Sequence, residues 1–216
     1  VFSDKIYIIV FVTEYSSYFI TFLLLLAESF HEQNTLLYPG GFLRIGTPSD
    51  AASKELLSCS VSAYFEEHYD ASRVAELRRE AGDAALTAFK KKRLWKSAET
   101  LQRGIECSIA NHACVVATTL LGCGHSLLSG AAFGHEEQFF DVIIFDEACQ
   151  STLPAALVAM QRLRSDADGD GGGPAQSTLV MGGDHRQLPA TVLSPAAVRG
   201  GLARSLFERF VEDGAR

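Results

Sequence analysis

Asp146 and Glu147 stand side by side after Val142, Ile143, Ile144 and Phe145, within "FFDVIIFDEACQST", Phe139 to Thr152. Four consecutive apolar residues of this kind predict a buried strand, whose carboxyl end delivers both carboxylates to a sheet edge. Neighbours on an extended strand point to opposite faces, but a backbone that turns just past the strand end can aim both at one pocket. Paired carboxylates so placed suit phosphate chemistry: one holds the water shell of Mg²⁺ beside a triphosphate, and the next takes a proton from the attacking water. The plainer alternative is a surface strand end that merely carries two acids.

A second polar strand end stands downstream. "LVMGGDHRQLP", Leu179 to Pro189, places Gly183, Asp184, Gln187 and Leu188 after an apolar run. Gln150 follows the acid pair by three residues, ahead of a predicted helix from Leu153 to Leu163 with Pro154 near its start, where proline is tolerated.

Three apolar runs must position these groups: Ala113 to Thr119, Asp141 to Glu147 and Thr178 to Asp184. None alternates cleanly, as expected of strands covered on both faces, and each ends in small or polar residues. Helical stretches separate them, so the pattern predicts an α/β fold with a mainly parallel sheet, whose function sits at the carboxyl ends of the strands. Upstream, Ile6 to Val12 predicts a strand, followed by a polar turn and a helix over Tyr18 to Phe30. Although Ile6 to Ala27 is about long enough to cross a bilayer, Glu14, Thr13, Ser16 and Ser17 interrupt it; no membrane association is expected.

Residues 1–50 therefore read as the start of the sheet domain, with a further short strand over Phe42 to Ile45 beyond the turn at Pro39, Gly40 and Gly41. Residues 51–111 are charged and helix-favouring and predict an arm of two or more helices, interrupted at Gly82 and Gly104. Within this arm Lys90, Lys91, Lys92 and Arg93 adjoin Trp95. Two readings stand: a solvated face with Trp95 packed inward, or an arm that contacts phosphates. Residues 112–216 carry the rest of the sheet domain, broken at 165–177 by a flexible Gly/Asp-rich loop. Asp166, Asp168 and Asp170 match the opening of a calcium loop, but Ser177 stands where its bidentate Glu belongs.

At 47% hydrophobic over 216 residues the chain can bury a core, so global disorder is not expected. A net charge of −7 argues against coating nucleic acid by net electrostatics and confines any such role to local basic stripes. Five scattered cysteines without a Cys-x-x-Cys pair fit neither a disulfide framework nor a zinc site; a reducing compartment, nuclear or cytoplasmic rather than secreted, is expected.

"VIIFDEACQSTLP", "LVMGGDHRQLPATVLSP" and "SLFERF" together resemble the first motor domain of superfamily 1 nucleic-acid helicases, in the branch containing senataxin and the nonsense-mediated-decay helicase. The resemblance is close over Ala113 to Phe210 and weak before it. It implies a RecA-like P-loop NTPase sheet with a helical insertion at 51–111, ATP and Mg²⁺ as ligands, and single-stranded DNA or RNA as partner. By the same resemblance Asp146 would position Mg²⁺, Glu147 would be the general base, Gln150 would lie near the nucleotide, and Gln187 would sense the γ-phosphate. Thr118 and Thr119 match a threonine-bearing strand end that touches the nucleic-acid backbone; capping of the following "LLGCG" turn is the rival role.

Two departures limit what the resemblance implies. The first nucleic-acid motif aligns with "VTEYSSYFITFL", where Ser16 alone is retained and Ser17 replaces a family residue. A GxxxxGK[ST] phosphate loop, with glycines for close backbone approach and a Lys for the β- and γ-phosphates, is absent from the 216 residues. The RecA-like sheet is thus expected to be incomplete and the chain an internal fragment of an ATP-dependent helicase. The alternative expectation is a degenerate, non-catalytic scaffold that binds RNA or protein.

Overall fold

The computed structural model of the chain describes residues 8–11, 41–46, 57–129, 140–163 and 177–214. Ser16, Ser17, the helix expected over Tyr18 to Phe30 and the Gly/Asp-rich stretch up to residue 176 lie outside the described residues.

Among the described residues five short strands form one sheet: β1 (Ile8–Phe11), β2 (Phe42–Arg44), β3 (Val115–Thr118), β4 (Val142–Phe145) and β5 (Thr178–Met181). Their order is β2-β3-β1-β4-β5, and every pairing is parallel. This is the α/β, parallel RecA-like sheet that the strand runs and the resemblance imply. β1, drawn from the apolar segment that is long enough for a bilayer, is the middle strand, and no helix among the described residues is long and apolar enough to cross a membrane.

The register aligns the strand ends. Phe11 pairs with both Thr118 and Phe145, and Phe145 pairs with Met181, so these residues form one row across the carboxyl edge. At about 4.8 Å between neighbouring strands, the ends of β3 and β4 are roughly 10 Å apart with β1 between them.

Among the described residues between β2 and β3 stand the helices α1 (Val61–Glu67), α2 (Ala71–Ala81) and α3 (Ala88–His112). Local chemistry sets their limits. Ser60 caps α1 by accepting from the Ala63 N–H at 3.2 Å, and Thr87 caps α3 by accepting from Lys90 N–H at 3.4 Å. The Gly82 N–H closes α2 on the carbonyls of Arg78 and Arg79. Gly104 does not interrupt the arm as expected; it lies inside α3. A glycine there weakens the helix by about 1 kcal/mol, too little to end one whose Ala98, Ile105, Ile109 and Ala110 are buried against the core.

The insertion covers one edge of the sheet. Arg44 and Ser60 form a parallel bridge beyond β2, Tyr64 Oη donates to the Phe42 carbonyl at 3.0 Å, and every residue of β2 is buried. β5, at the opposite end of the described sheet, differs from expectation: its residues alternate between exposed and half-buried, with Val180 45% exposed. An edge strand is covered only by what packs on it, and no described element covers that face. Downstream of β4, α5 (Leu153–Met160) turns Ala156 and Ala159 into the core; α4 is the single turn Ser126–Ser129. Arg162 ties the end of α5 to the β3-side loop by donating to the carbonyls of Cys123 and Leu128, both at 3.2 Å. After β5 come α6 (Pro195–Arg199) and α7 (Leu206–Gly214).

Candidate functional site

The chain turns sharply where β4 ends. Glu147 adopts φ 50°, ψ 44°, a left-handed conformation, and it is the only non-glycine with positive φ among the described residues. An L-residue costs about 1–2 kcal/mol there. The turn lets residues 148–150 coil into one 3₁₀ turn, with Gln150 N–H donating to the Glu147 carbonyl at 2.9 Å and Ser151 Oγ donating to the Ala148 carbonyl at 2.9 Å. It also brings the side chains of three predicted site residues into one cluster. The Glu147 N–H donates to Asp146 Oδ1 at 3.1 Å, and Gln150 Nε2 approaches Glu147 Oε2 at 3.4 Å.

The adjacent strand end holds this turn from the side. Gly182 N–H donates to the Phe145 carbonyl and Ala148 N–H to the Gly182 carbonyl, both at 2.8 Å. Gly183, at φ 147°, lies so close that a Cβ would sit 3.2 Å from both the Ala148 nitrogen and Cys149 Sγ. A side chain at 183 would be strained by both its backbone conformation and these contacts, so glycine suits the approach of β5 to the acid turn. Asp184 then organises the next turn: its Oδ1 accepts from Arg186 N–H at 2.9 Å and its Oδ2 accepts from Gln187 Nε2 at 3.3 Å. The Arg186 N–H, with Gln187 and the nearby cations, holds the Asp184 carboxyl below its ordinary value.

Asp146 is perturbed in the other direction. Burial raises its pKa first and the Glu147 charge adds to this, while the hydrogen bond from the Glu147 N–H opposes both. Among the described residues neither acid has an ion-pair partner. Two half-buried, mutually repelling carboxylates are a donor set suited to a hard cation. Magnesium takes one or two carboxylates from a protein and completes its shell with water and phosphate oxygens, so the chemistry of this pair fits it.

The remaining predicted residues are distributed along the same edge. Gln187 stands in the exposed loop after β5, held by Asp184 rather than by the acid pair. Thr118 ends β3 at 2% exposure, and its Oγ1 has no hydrogen-bond partner among the described residues. The exposed Thr119 accepts from Gly122 N–H at 3.1 Å, the turn-capping role. A Cβ on Gly122 would lie 2.2 Å from Thr118 Oγ1, so this glycine makes room for the threonine. Asp184 and Gly183 are the positioning residues that role assignment by sequence passed over, although the string Gly-Gly-Asp before Gln187 carried their signal.

Comparison with known proteins adds a family. A family model described as AAA domain matches residues 79–195, more than half of the chain, spanning both polar strand ends. A probable helicase of Dictyostelium discoideum is 35% identical over 108 residues, which is 50% of this chain and 9% of that protein. The DNA replication ATP-dependent helicase/nuclease DNA2 of Saccharomyces cerevisiae is 39% identical over 104 residues, 47% of this chain and 6% of its own length. The Regulator of nonsense transcripts 1 homolog of Drosophila melanogaster is 30% identical over 151 residues, 70% of this chain and 11% of its own. The chain thus spans about a tenth or less of the length of these relatives.

Proposed function

We propose, on the premise that the chain belongs to the AAA domain family and carries part of a superfamily 1 helicase motor domain, that it serves an ATP-dependent helicase that couples ATP hydrolysis to movement along single-stranded DNA or RNA. The observation that carries this reading is the left-handed turn at Glu147, which gathers Asp146, Glu147 and Gln150 beside the Gly-Gly-Asp end of β5.

In this reading Asp146 would hold Mg²⁺, which when bound would supply neutralisation of the phosphate charge. Glu147 orients the attacking water and accepts its proton at the carboxylate. Gln150, within reach of Glu147 Oε2, keeps that carboxylate aimed and lies next to the nucleotide. Gln187 senses the γ-phosphate from the β5 loop and, through the shared sheet edge, relays its state toward the nucleic-acid track. The exposed Thr119, together with Ser16 and Ser17, would belong to that track, contacting phosphates that position the strand without reading its sequence, while the buried Thr118 would support the strand end beneath it. A nuclear or cytoplasmic location accords with this role.

The test is ATP hydrolysis measured with and without single-stranded nucleic acid. The 216-residue chain by itself is expected to show no turnover, because the electrostatic stabilisation given by a GxxxxGK[ST] loop is absent from it. The full-length product of its gene is expected to hydrolyse ATP in response to single strands, and Glu147→Gln to lower that rate by about 10²–10⁴-fold. Strand-stimulated hydrolysis that survives Glu147→Gln would overturn the assignment. The eroded first nucleic-acid motif, in which Ser16 alone is retained, favours a second reading, a non-catalytic scaffold that binds RNA or protein, whose signature is no hydrolysis by the full-length product with or without single strands.

A further inference from the structure

The first two turns of α3 present a surface that the motor reading leaves unexplained. Residues 90–96, "KKKRLWK", carry five positive charges and no acid in a chain whose net charge is −7. None of Lys90, Lys91, Lys92, Arg93 and Lys96 forms an ion pair among the described residues, whereas Arg73 and Arg103 on the same arm are paired with Glu76 and Glu99. Phe89 is 76% exposed and Trp95 51% exposed, so Trp95 is not packed inward as a solvated-face reading expects. The inward side of this segment is taken by Leu94, with Ala98 and Leu101 following it along the helix.

Helical spacing collects these groups. Phe89, Lys92, Arg93 and Lys96 follow i, i+3, i+4, i+7 and share the face turned from the core, and Trp95 flanks Lys92 one turn away. Phe89 and Trp95 are about 9 Å apart along the axis at 1.5 Å per residue. Like charges at i, i+4, as at Lys92 and Lys96, oppose the helix that carries them, and two large aromatic faces stay wet. A polyanion with flat apolar faces relieves both. An acidic peptide answers only the charges, while a nucleic-acid strand offers phosphates to the cations and bases to the rings.

We propose that the face of α3 formed by Phe89, Lys92, Arg93, Trp95 and Lys96 binds a single-stranded nucleic acid, with bases stacked on Phe89 and Trp95 and phosphates on the cations. It extends the strand path from the sheet edge onto the helical arm and rests on the reading of the chain as part of a nucleic-acid motor.

Trp95 is the only tryptophan in the chain, so its fluorescence reports this face alone. Titration of the chain with oligothymidylate and with oligouridylate is expected to quench it saturably. With three phosphate contacts, from Lys92, Arg93 and Lys96, log affinity falls against log salt with a slope of about −2. Lys92→Glu combined with Lys96→Glu, at exposed positions where folding is checked by circular dichroism, is expected to weaken binding at least tenfold and to flatten the slope by about 1.4. Phe89→Ala is expected to cost about tenfold. Oligonucleotide binding that leaves Trp95 unquenched and ignores the charge reversal would overturn the arm site while sparing the motor reading. No oligonucleotide binding at all would overturn it too, and equal quenching by polyglutamate would convert the face to an acidic-protein surface. Quenching with these mutant effects, in a full-length product that does not hydrolyse ATP, would keep this site and remove the motor.

Discussion

Glu147→Gly separates the two costs that meet at the end of β4. At φ 50°, ψ 44° a side-chain-bearing residue is strained by about 1–2 kcal/mol, which glycine does not incur. Glycine in turn loses about 0.5–1 kcal/mol through the greater freedom of the unfolded chain. Their difference leaves Glu147→Gly more stable by roughly 0.5–1 kcal/mol. Removing the carboxylate also relieves its repulsion of Asp146 and forfeits the long 3.4 Å contact with Gln150, so a charge control is needed. Glu147→Gln is that control, since it discharges the position and keeps the strain.

The comparison is a urea titration read by pulse proteolysis at low protein concentration. The expected order of stability is Gly, then Asn, whose short amide tolerates the left-handed region, then Gln. The Gly variant should exceed Gln by about 1 kcal/mol, equivalent to a melting shift of about 2–4 °C for a chain of this size. A Gly variant no more stable than the Gln variant would refute the strain argument.

Three further outcomes follow from the same structure. Asp184, held below its ordinary value of 3.8 chiefly by the Arg186 N–H, stabilises its turn fully above that value and loses the contribution as pH falls through the lowered folded value. The Arg186 amide resonance should therefore titrate with a midpoint below 3.8, and a midpoint at or above it would contradict the hydrogen bond. Gly104→Ala, where an added Cβ meets nothing within 4 Å, should raise stability in urea by about 1 kcal/mol; no gain would mean that α3 is not continuous there. Val180→Lys places a charge on the exposed face of an edge strand and should raise the soluble fraction of the expressed chain, whereas unchanged aggregation would locate the liability elsewhere.

What the sequence made legible was local. Four apolar residues followed by two acids mark a buried strand with a polar end without help from the rest of the chain, and β4 forms there. The Gly-Gly-Asp string likewise marks a second polar strand end, and β5 ends there; the close approach of Gly183 to Ala148 and Cys149 was not read from it. Features set by distant partners were hidden. Gly104 has the weak propensity of a breaker, yet burial on either side of it carries α3 through. The exposure of β5 reflects its place at the end of the described sheet, and its own residues, which would suit an inner strand equally well, do not encode that place.

The left-handed Glu147 belongs to the hidden class, and it is the feature that bears most on function. Glutamate has no preference for that conformation; the hydrogen bonds from Ala148 to Gly182 and from Gly182 to Phe145, made across more than thirty residues of chain, impose it. Selection for stability alone would favour glycine at 147 and would not set a second carboxylate beside a partly desolvated Asp146. Strain and like-charge repulsion are independent costs, and they coincide at one strand end, in register with the polar ends of β3 and β5. Costs that coincide in this way, against only long contacts from Gln150 and Cys149 to the Glu147 carboxylate, are a reason to look for chemistry at that point. The arm differs in kind: Lys92 and Lys96 repel on an exposed helix face, while Asp146 and Glu147 repel half-buried at the carboxyl edge of the sheet. Charge reversal on the arm should therefore alter strand affinity and its salt dependence without changing ATP turnover at saturating strand, while Glu147→Gln should do the reverse.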